Sequence, residues 1–226
     1  MHLHYNHSRL RFSPLGPCGV HLSAFRLPLF AFHYPMILGI TGGFGTGKSS
    51  AARLFEGRGF RRLDSDQLVR EKVLTAPDVV AAVRERFGAS VLGTDGAIDR
   101  RSLADRVFTN DSELSWLEGV THPIVFNLWR GELASDPKGP WAVEVPLLFE
   151  KSLEKWFDFI VCVACDLEQQ LARLERCGTN RAFAGQRISK QLPLAQKIEL
   201  SDFVLWNEGS PEFLKAQVDR IVDSLS

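Results

Sequence analysis

Residues Ile37-Leu38-Gly39-Ile40-Thr41 make a short apolar run that leads without a break into Gly42-Gly43-Phe44-Gly45-Thr46-Gly47-Lys48-Ser49-Ser50. The second stretch completes the pattern GxxxxGK[ST], and Ser50-Ala51-Ala52-Arg53-Leu54-Phe55 continues it as a helical run. Strand, glycine turn and helix in that order constrain the fold more than any other feature of the chain, because they impose a parallel α/β arrangement whose first turn faces a polyanion. The glycines let the backbone close into a nest of inward-pointing amides at the positive end of the helix. Gly43, Phe44, Gly45, Thr46, Gly47, Lys48, Ser49 and Ser50 are therefore the expected contacts of a nucleoside triphosphate. Lys48 reaches the β and γ phosphates, and Ser49 places its hydroxyl on the Mg²⁺ that bridges them. A dinucleotide-binding GxGxxG does not fit, since counting from Gly43 and Gly45 its last glycine falls on Lys48.

The chain has 226 residues, 45% of them hydrophobic and 24% charged, which suits one soluble α/β domain with insertions. Its 27 basic and 27 acidic side chains cancel, so no nucleic-acid partner is expected, and no stretch is long enough to span a membrane, so no membrane partner is expected either. Residues 1–35 differ from the rest: they hold five of the six histidines, four prolines, three arginines and no acidic residue. They read as an upstream mis-called start or a disordered extension, in preference to a transit peptide, because the prolines oppose an amphipathic helix. Within them, His2, His4 and His7 are read as adventitious. Cys18, Cys162, Cys165 and Cys177 are too scattered for a disulfide framework, so the expected compartment is reducing, the cytoplasm. Cys162 and Cys165 have CxxC spacing but lie in the apolar run Phe159 to Cys165, which predicts buried thiols in a strand.

Along the chain, Gly59 to Asp66 reads as a short strand ending in paired carboxylates, Asp64 and Asp66. Residues of about 67–135 read as a mostly helical insertion, with apolar helical spacing in Val79 to Phe87 and Leu114 to Val120. Trp141 to Val145, Phe159 to Cys165 and Phe203 to Trp206 are strands; Leu167 to Arg176 and Glu212 to Leu225 are helices. The fold class expected from this alternation is a three-layer α/β/α domain on a parallel sheet, carrying a helical acceptor-binding insertion and a small polar, arginine-bearing lid at about 177–190.

Read together, these segments resemble the dephospho-CoA kinases, a group of phosphate-loop kinases, over nearly everything from residue 36 onward. The resemblance rests on the loop Thr41 to Ser50, on Leu63-Asp64-Ser65-Asp66, and on Asp95-Gly96-Ala97-Ile98-Asp99-Arg100-Arg101 followed by Val107-Phe108. Further on it rests on Thr121-His122-Pro123-Ile124, Val145-Pro146-Leu147-Leu148-Phe149-Glu150, Gln191-Leu192-Pro193-Leu194 and Asp202-Phe203-Val204-Leu205-Trp206-Asn207. It implies transfer of the ATP γ-phosphoryl group to the ribose 3′-hydroxyl of dephospho-CoA, with ATP and dephospho-CoA as small-molecule partners and Mg²⁺ as cofactor.

The resemblance also assigns roles. Asp66 matches the catalytic aspartate that orients or deprotonates the acceptor hydroxyl; a helix N-cap is the competing reading, and Asp64 caps equally well by composition. Glu144 either holds Mg²⁺ through water or is a solvated or paired side chain. Arg173, with Asp66 and Lys48, is read as catalytic. Arg187 and Asn207 join the ATP-binding set, and Arg176 and Arg181 share the lid-like segment with Arg187. His122, Arg100 and Glu150 are read as acceptor contacts, against structural roles at helix starts for the first two. Where the family has a small or aliphatic residue, this chain has Phe44, a position that adds no chemistry to the backbone amides. The lid-like stretch is more glycine-rich and less acidic than the family's. Two other readings compete. One is a different small-metabolite or nucleotide kinase, since the loop reports the donor and not the acceptor. The other is a non-catalytic nucleotide-binding module or a GTP switch, although no asparagine is followed by the lysine of a guanine-reading NKxD.

Overall fold

The computed structural model describes residues 36–225, so the expectations for residues 1–35, Cys18 included, lie outside the described residues. Along the chain run β1 (Ile37–Gly42), α1 (Lys48–Glu56), β2 (Arg61–Asp64), α2 (Ser65–Leu68), a π-helical turn Val69–Val73, α3 (Pro77–Phe87), α4 (Arg100–Val107) and α5 (Asp111–Ser135). β3 (Trp141–Glu144), β4 (Phe159–Ala164), α6 (Leu167–Arg176), α7 (Arg181–Ser189), α8 (Leu194–Leu200), β5 (Phe203–Trp206) and α9 (Pro211–Leu225) follow. Two compact units divide them: one runs to Leu63 and resumes at Lys138, and the other is Asp64–Pro137.

In the first unit the strands form a five-stranded sheet in the order β2-β3-β1-β4-β5. β1 pairs in parallel with β3 and β4, and β4 with β5. Near-continuous apolar runs such as Phe159–Ala164 are what a parallel strand covered on both faces requires. The alternation along β1 sends Leu38 and Ile40 to one face, where they meet Ala51, Ala52 and Phe55 of α1 and Leu214, Val218, Ile221 and Val222 of α9. Phe55 and Phe60 close that layer edge to face, with ring centroids 5.4 Å apart.

Gly39 and Thr41 point the other way. A Cβ on Gly39 would come within 2.8 Å of both Leu148 and Phe157, so only glycine lets that layer approach the sheet. On this face α8 buries Lys197 completely. Its Nζ donates to Pro146 O at 2.8 Å and pairs with Glu150 Oε1 at 2.8 Å. Removing one partner of such a buried pair strands the other charge and costs about 3–5 kcal/mol, so Lys197 ties α8 to the chain just past β3. Cys162 and Cys165 are buried free thiols, as the apolar run predicts. Burial pushes the Cys162 thiol up to about 12, well outside the range of a reactive thiolate.

The second unit is helical, and its helix starts are set by side-chain caps. Asp64 accepts from Gln67 N at 2.9 Å, Asp99 from Arg101 N at 3.0 Å, and Asn110 from Ser112 N at 3.0 Å. α3 instead starts on Pro77, which suits the first helical turn, and buries Val79 and Val83. α5 presents Thr121, Val125 and Trp129, four residues apart, to its buried side. One expectation is corrected here: His122-Pro123 does not start a helix but lies midway along α5, whose cap is Asn110. Pro123 leaves the carbonyl of Gly119 without its usual donor, and Gly119 has open space around its Cβ position in which to yield.

Candidate active site

The loop between β1 and α1 is shaped by three glycines in the left-handed region or beyond it. Gly42 (φ 142°) passes so close to Val163 O that any side chain would collide with it. Gly45 (φ 83°) and Gly47 (φ 95°) turn the loop, and Gly47 caps α1. A Cβ on Gly47 would also run into the Asn207 amide. Gly47→Ala is therefore expected to fold but to weaken ATP binding by about five- to a hundredfold, because a left-handed alanine and a displaced Asn207 cost about 1–3 kcal/mol of the loop geometry that binding needs. Isothermal titration of the variant, with far-UV circular dichroism as the folding control, checks this.

Hydrogen bonds fix the loop's carbonyls, while the Phe44 N–H is taken by Gln191 Oε1 at 2.9 Å and the Thr46 N–H by Gly43 O at 3.3 Å. Thr46, fully buried, returns its hydroxyl to Gly43 O at 2.9 Å. The carbonyl of Thr46 is gripped twice, by Asn207 Nδ2 at 2.8 Å and by Arg173 Nη1 at 3.3 Å. Arg173 in turn donates to Asn207 O at 2.6 Å and Gln169 Oε1 at 3.1 Å. These bonds make Arg173, read from the sequence as catalytic, and Asn207, expected at ATP, joint braces on the carbonyl of Thr46.

Lys48 stands at the first position of α1 and folds over the loop, with Nζ 2.9 Å from Gly43 O and 3.4 Å from Gly42 O. Ser49 donates to Glu144 Oε2 at 2.8 Å. Glu144, at the end of β3 and 4% exposed, takes Arg62 Nε on its other oxygen at 2.7 Å. Glu144 is thus held between Arg62 and the nucleotide-loop serine. Arg62 was not a sequence candidate; an arginine two residues before Asp64 in a short strand carries no signal of its own. Ser50 is exposed one position further along α1.

Over the loop lies α7, capped by Asn180, which accepts from Ala182 N at 2.9 Å. Its Ala184 packs with Leu171 and Leu174 of α6, and Phe44 and Ile188 pack against that cluster. Arg187 sets its guanidinium 4.7 Å from the centroid of the Phe44 ring. Gln191, quoted in the sequence only for its place before Leu192-Pro193, accepts from Phe44 N at 2.9 Å. Glu150, expected at the acceptor, uses Oε1 for Lys197 and for Leu192 N, both at 2.8 Å.

Asp66, His122 and Arg100 lie in the second unit. The strand expected to end in paired carboxylates ends at Asp64, and Asp66 is in the first turn of α2, exposed. Asp64, not Asp66, is the cap, since its carboxylate takes Gln67 N. Arg100 opens α4 behind Asp99, whose carboxyl is held below its ordinary range by the Ser102 hydroxyl and then by the Arg101 N–H. His122 is half-buried, its ring 5.9 Å from that of Phe126.

A parallel sheet in the order β2-β3-β1-β4-β5 with a complete GxxxxGKS loop at the carboxyl end of its central strand defines a phosphate-loop nucleotide-binding protein. A family model described as dephospho-CoA kinase matches residues 36–212. The dephospho-CoA kinase of Synechococcus elongatus is 40% identical over 191 residues, which cover 83% of this chain and 91% of that protein. A solved Thermus thermophilus protein is 34% identical with a TM-score of 0.75, over 85% of this chain and 99% of its own. The solved dephospho-CoA kinase of Campylobacter jejuni, at 22% identity, shares the fold with a TM-score of 0.62, over 84% of this chain and 96% of that one. The chain belongs to the dephospho-CoA kinase family and is a phosphotransferase.

Proposed function

We propose that the phosphate loop and Asp66 together carry out the reaction of this family: transfer of the ATP γ-phosphoryl group to the ribose 3′-hydroxyl of dephospho-CoA, giving coenzyme A and ADP in the last step of coenzyme A synthesis. The observation that carries the reading is the braced loop, with Lys48 folded over it and Ser49 against Glu144, inside a family match that spans both units.

Phosphoryl transfer needs positioning and charge neutralisation more than covalent chemistry. The loop amides hold the triphosphate tail, and the Lys48 ammonium exchanges the carbonyls of Gly42 and Gly43 for phosphate oxygens. The donor set fits Mg²⁺: a hydroxyl and a carboxylate 2.8 Å apart are the hard oxygen ligands that a magnesium nucleotide takes, with phosphate and water filling its other positions. Ser49 is the direct ligand in this reading and Glu144 acts through water, held in place by Arg62. Held there by Ser49 and Glu144, Mg²⁺ would supply charge neutralisation for the phosphates.

Asp66 is the group that orients or deprotonates the acceptor hydroxyl. Capping does not account for it, because Asp64 already caps α2. Arg187, on a lid of about 177–190, contacts the polyphosphate, while Arg173 and Asn207 keep the ATP loop in shape. Arg100 and His122, within an acceptor-binding insertion of about 67–135, meet the acceptor, and Glu150 orders the wall Val145 to Phe149 through Lys197. The cytoplasm is part of the same proposal: Cys162, Cys165 and Cys177 are free thiols, and no helix among the described residues is long and apolar enough to cross a membrane.

An acceptor screen tests the reading. Purified protein with magnesium ATP is expected to release ADP with dephospho-CoA and not with AMP, cytidylate or shikimate. Equal turnover of one of the other three would replace the assigned substrate.

A further inference from the structure

Phe44 enters the nucleotide loop as its only large side chain between Gly42 and Lys48, and the structure gives it three links to the segment after α6. Its ring packs, with Ile188, on the cluster of Leu171, Leu174 and Ala184. Its backbone N–H is held by Gln191 Oε1 at 2.9 Å. Its face lies under the Arg187 guanidinium at 4.7 Å, and Phe183, one turn earlier on α7, offers a second ring at 5.9 Å. An exposed arginine has several rotatable bonds and is otherwise spread over many rotamers. A ring quadrupole within about 6 Å attracts the cation and narrows that spread.

The geometry points to Phe44 as the positioning residue that holds Arg187 ready beside the nucleotide loop before ATP arrives. The ordering of Arg187 is then done by the protein rather than by the ligand, which lowers the cost of closing α7 over the triphosphate. The role belongs to the ring face and not to bulk alone. An aliphatic side chain at position 44 would keep the packing against Leu171, Leu174 and Ala184 but remove the nearer of the two ring faces from the guanidinium. This inference rests on the reading of Arg187 as a polyphosphate contact.

The test measures KM for ATP and kcat in Phe44→Leu, Phe44→Tyr, Arg187→Ala and the double variant Phe44→Leu/Arg187→Ala. Phe44→Leu is expected to raise KM for ATP about three- to tenfold, the range of a partly desolvated cation–π contact, with kcat changed far less. Phe44→Tyr, which keeps the face, should stay within twofold of the unsubstituted chain. In the Arg187→Ala background the leucine substitution should have no further effect, the mark of two groups acting as one. A silent Phe44→Leu, a tyrosine variant as impaired as the leucine one, or an undiminished leucine effect without Arg187 each overturns the proposal. An Arg187→Ala variant with unchanged KM removes Arg187 from the nucleotide site and this inference with it. A raised KM there with a silent Phe44→Leu overturns this inference alone.

Discussion

Lys48→Ala is expected to lower kcat/KM for ATP by a thousandfold or more, to the floor of a coupled ADP assay. The ammonium sits at the start of α1, 2.9 Å from Gly43 O, above a loop whose glycine geometry is independent of it. Alanine therefore leaves the loop glycines in place and removes the ammonium that folds over them. Charge that grows on the transferring oxygens then loses its nearest cation, and a loss of this size corresponds to about 4 kcal/mol of transition-state stabilisation. Lys48→Arg should not restore activity, because a planar guanidinium is bulkier than the ammonium that fits among the loop carbonyls. A variant that keeps more than a tenth of the activity would show that the amides alone suffice.

Asp66→Asn is expected to reduce kcat by about a hundredfold or more while ATP binding, read by calorimetry, stays unchanged. The substitution is nearly isosteric and removes only the basic oxygen. It leaves α2 capped, since the cap is Asp64, so stability should hold. Asp64→Asn provides the contrast: asparagine also caps helices, and turnover should survive it. Asp66→Asn with normal kcat would take the residue out of the chemistry, and equal losses in both variants would show that the start of α2 matters as a whole.

The parts of this protein that were legible in the sequence are those fixed by near neighbours. The loop declares itself by glycine spacing, β4 by an unbroken apolar run, and α3 by the apolar helical spacing of Val79 to Phe87, because period and turn chemistry act over a few residues. What connects those parts was not legible. Nothing near Thr46 signals that its carbonyl is held by Arg173 and Asn207, 127 and 161 residues further on. Arg62 and Gln191 gain meaning only from Glu144 and Phe44, which tertiary structure brings to them. The strand expected to run to Asp66 stops at Asp64 because a carboxylate that can take a backbone N–H ends the strand and starts a helix at once. His122-Pro123 misled in the opposite sense: proline suggests a helix start, but the Asn110 cap and the buried stripe Thr121, Val125 and Trp129 carry α5 straight through it. Phe44, set aside in the sequence because a side chain adds nothing to backbone amides, has its ring under the Arg187 guanidinium, a neighbour that its own position in the chain does not announce.

Asn207 lies just beyond β5, 161 residues after Thr46, yet it steadies the turn that follows β1. A ribosome must therefore have added β3, β4 and β5 before that turn acquires this support. Grip on nucleotide should mature only once β5 has emerged, and chains cut off ahead of β5 should be left without it.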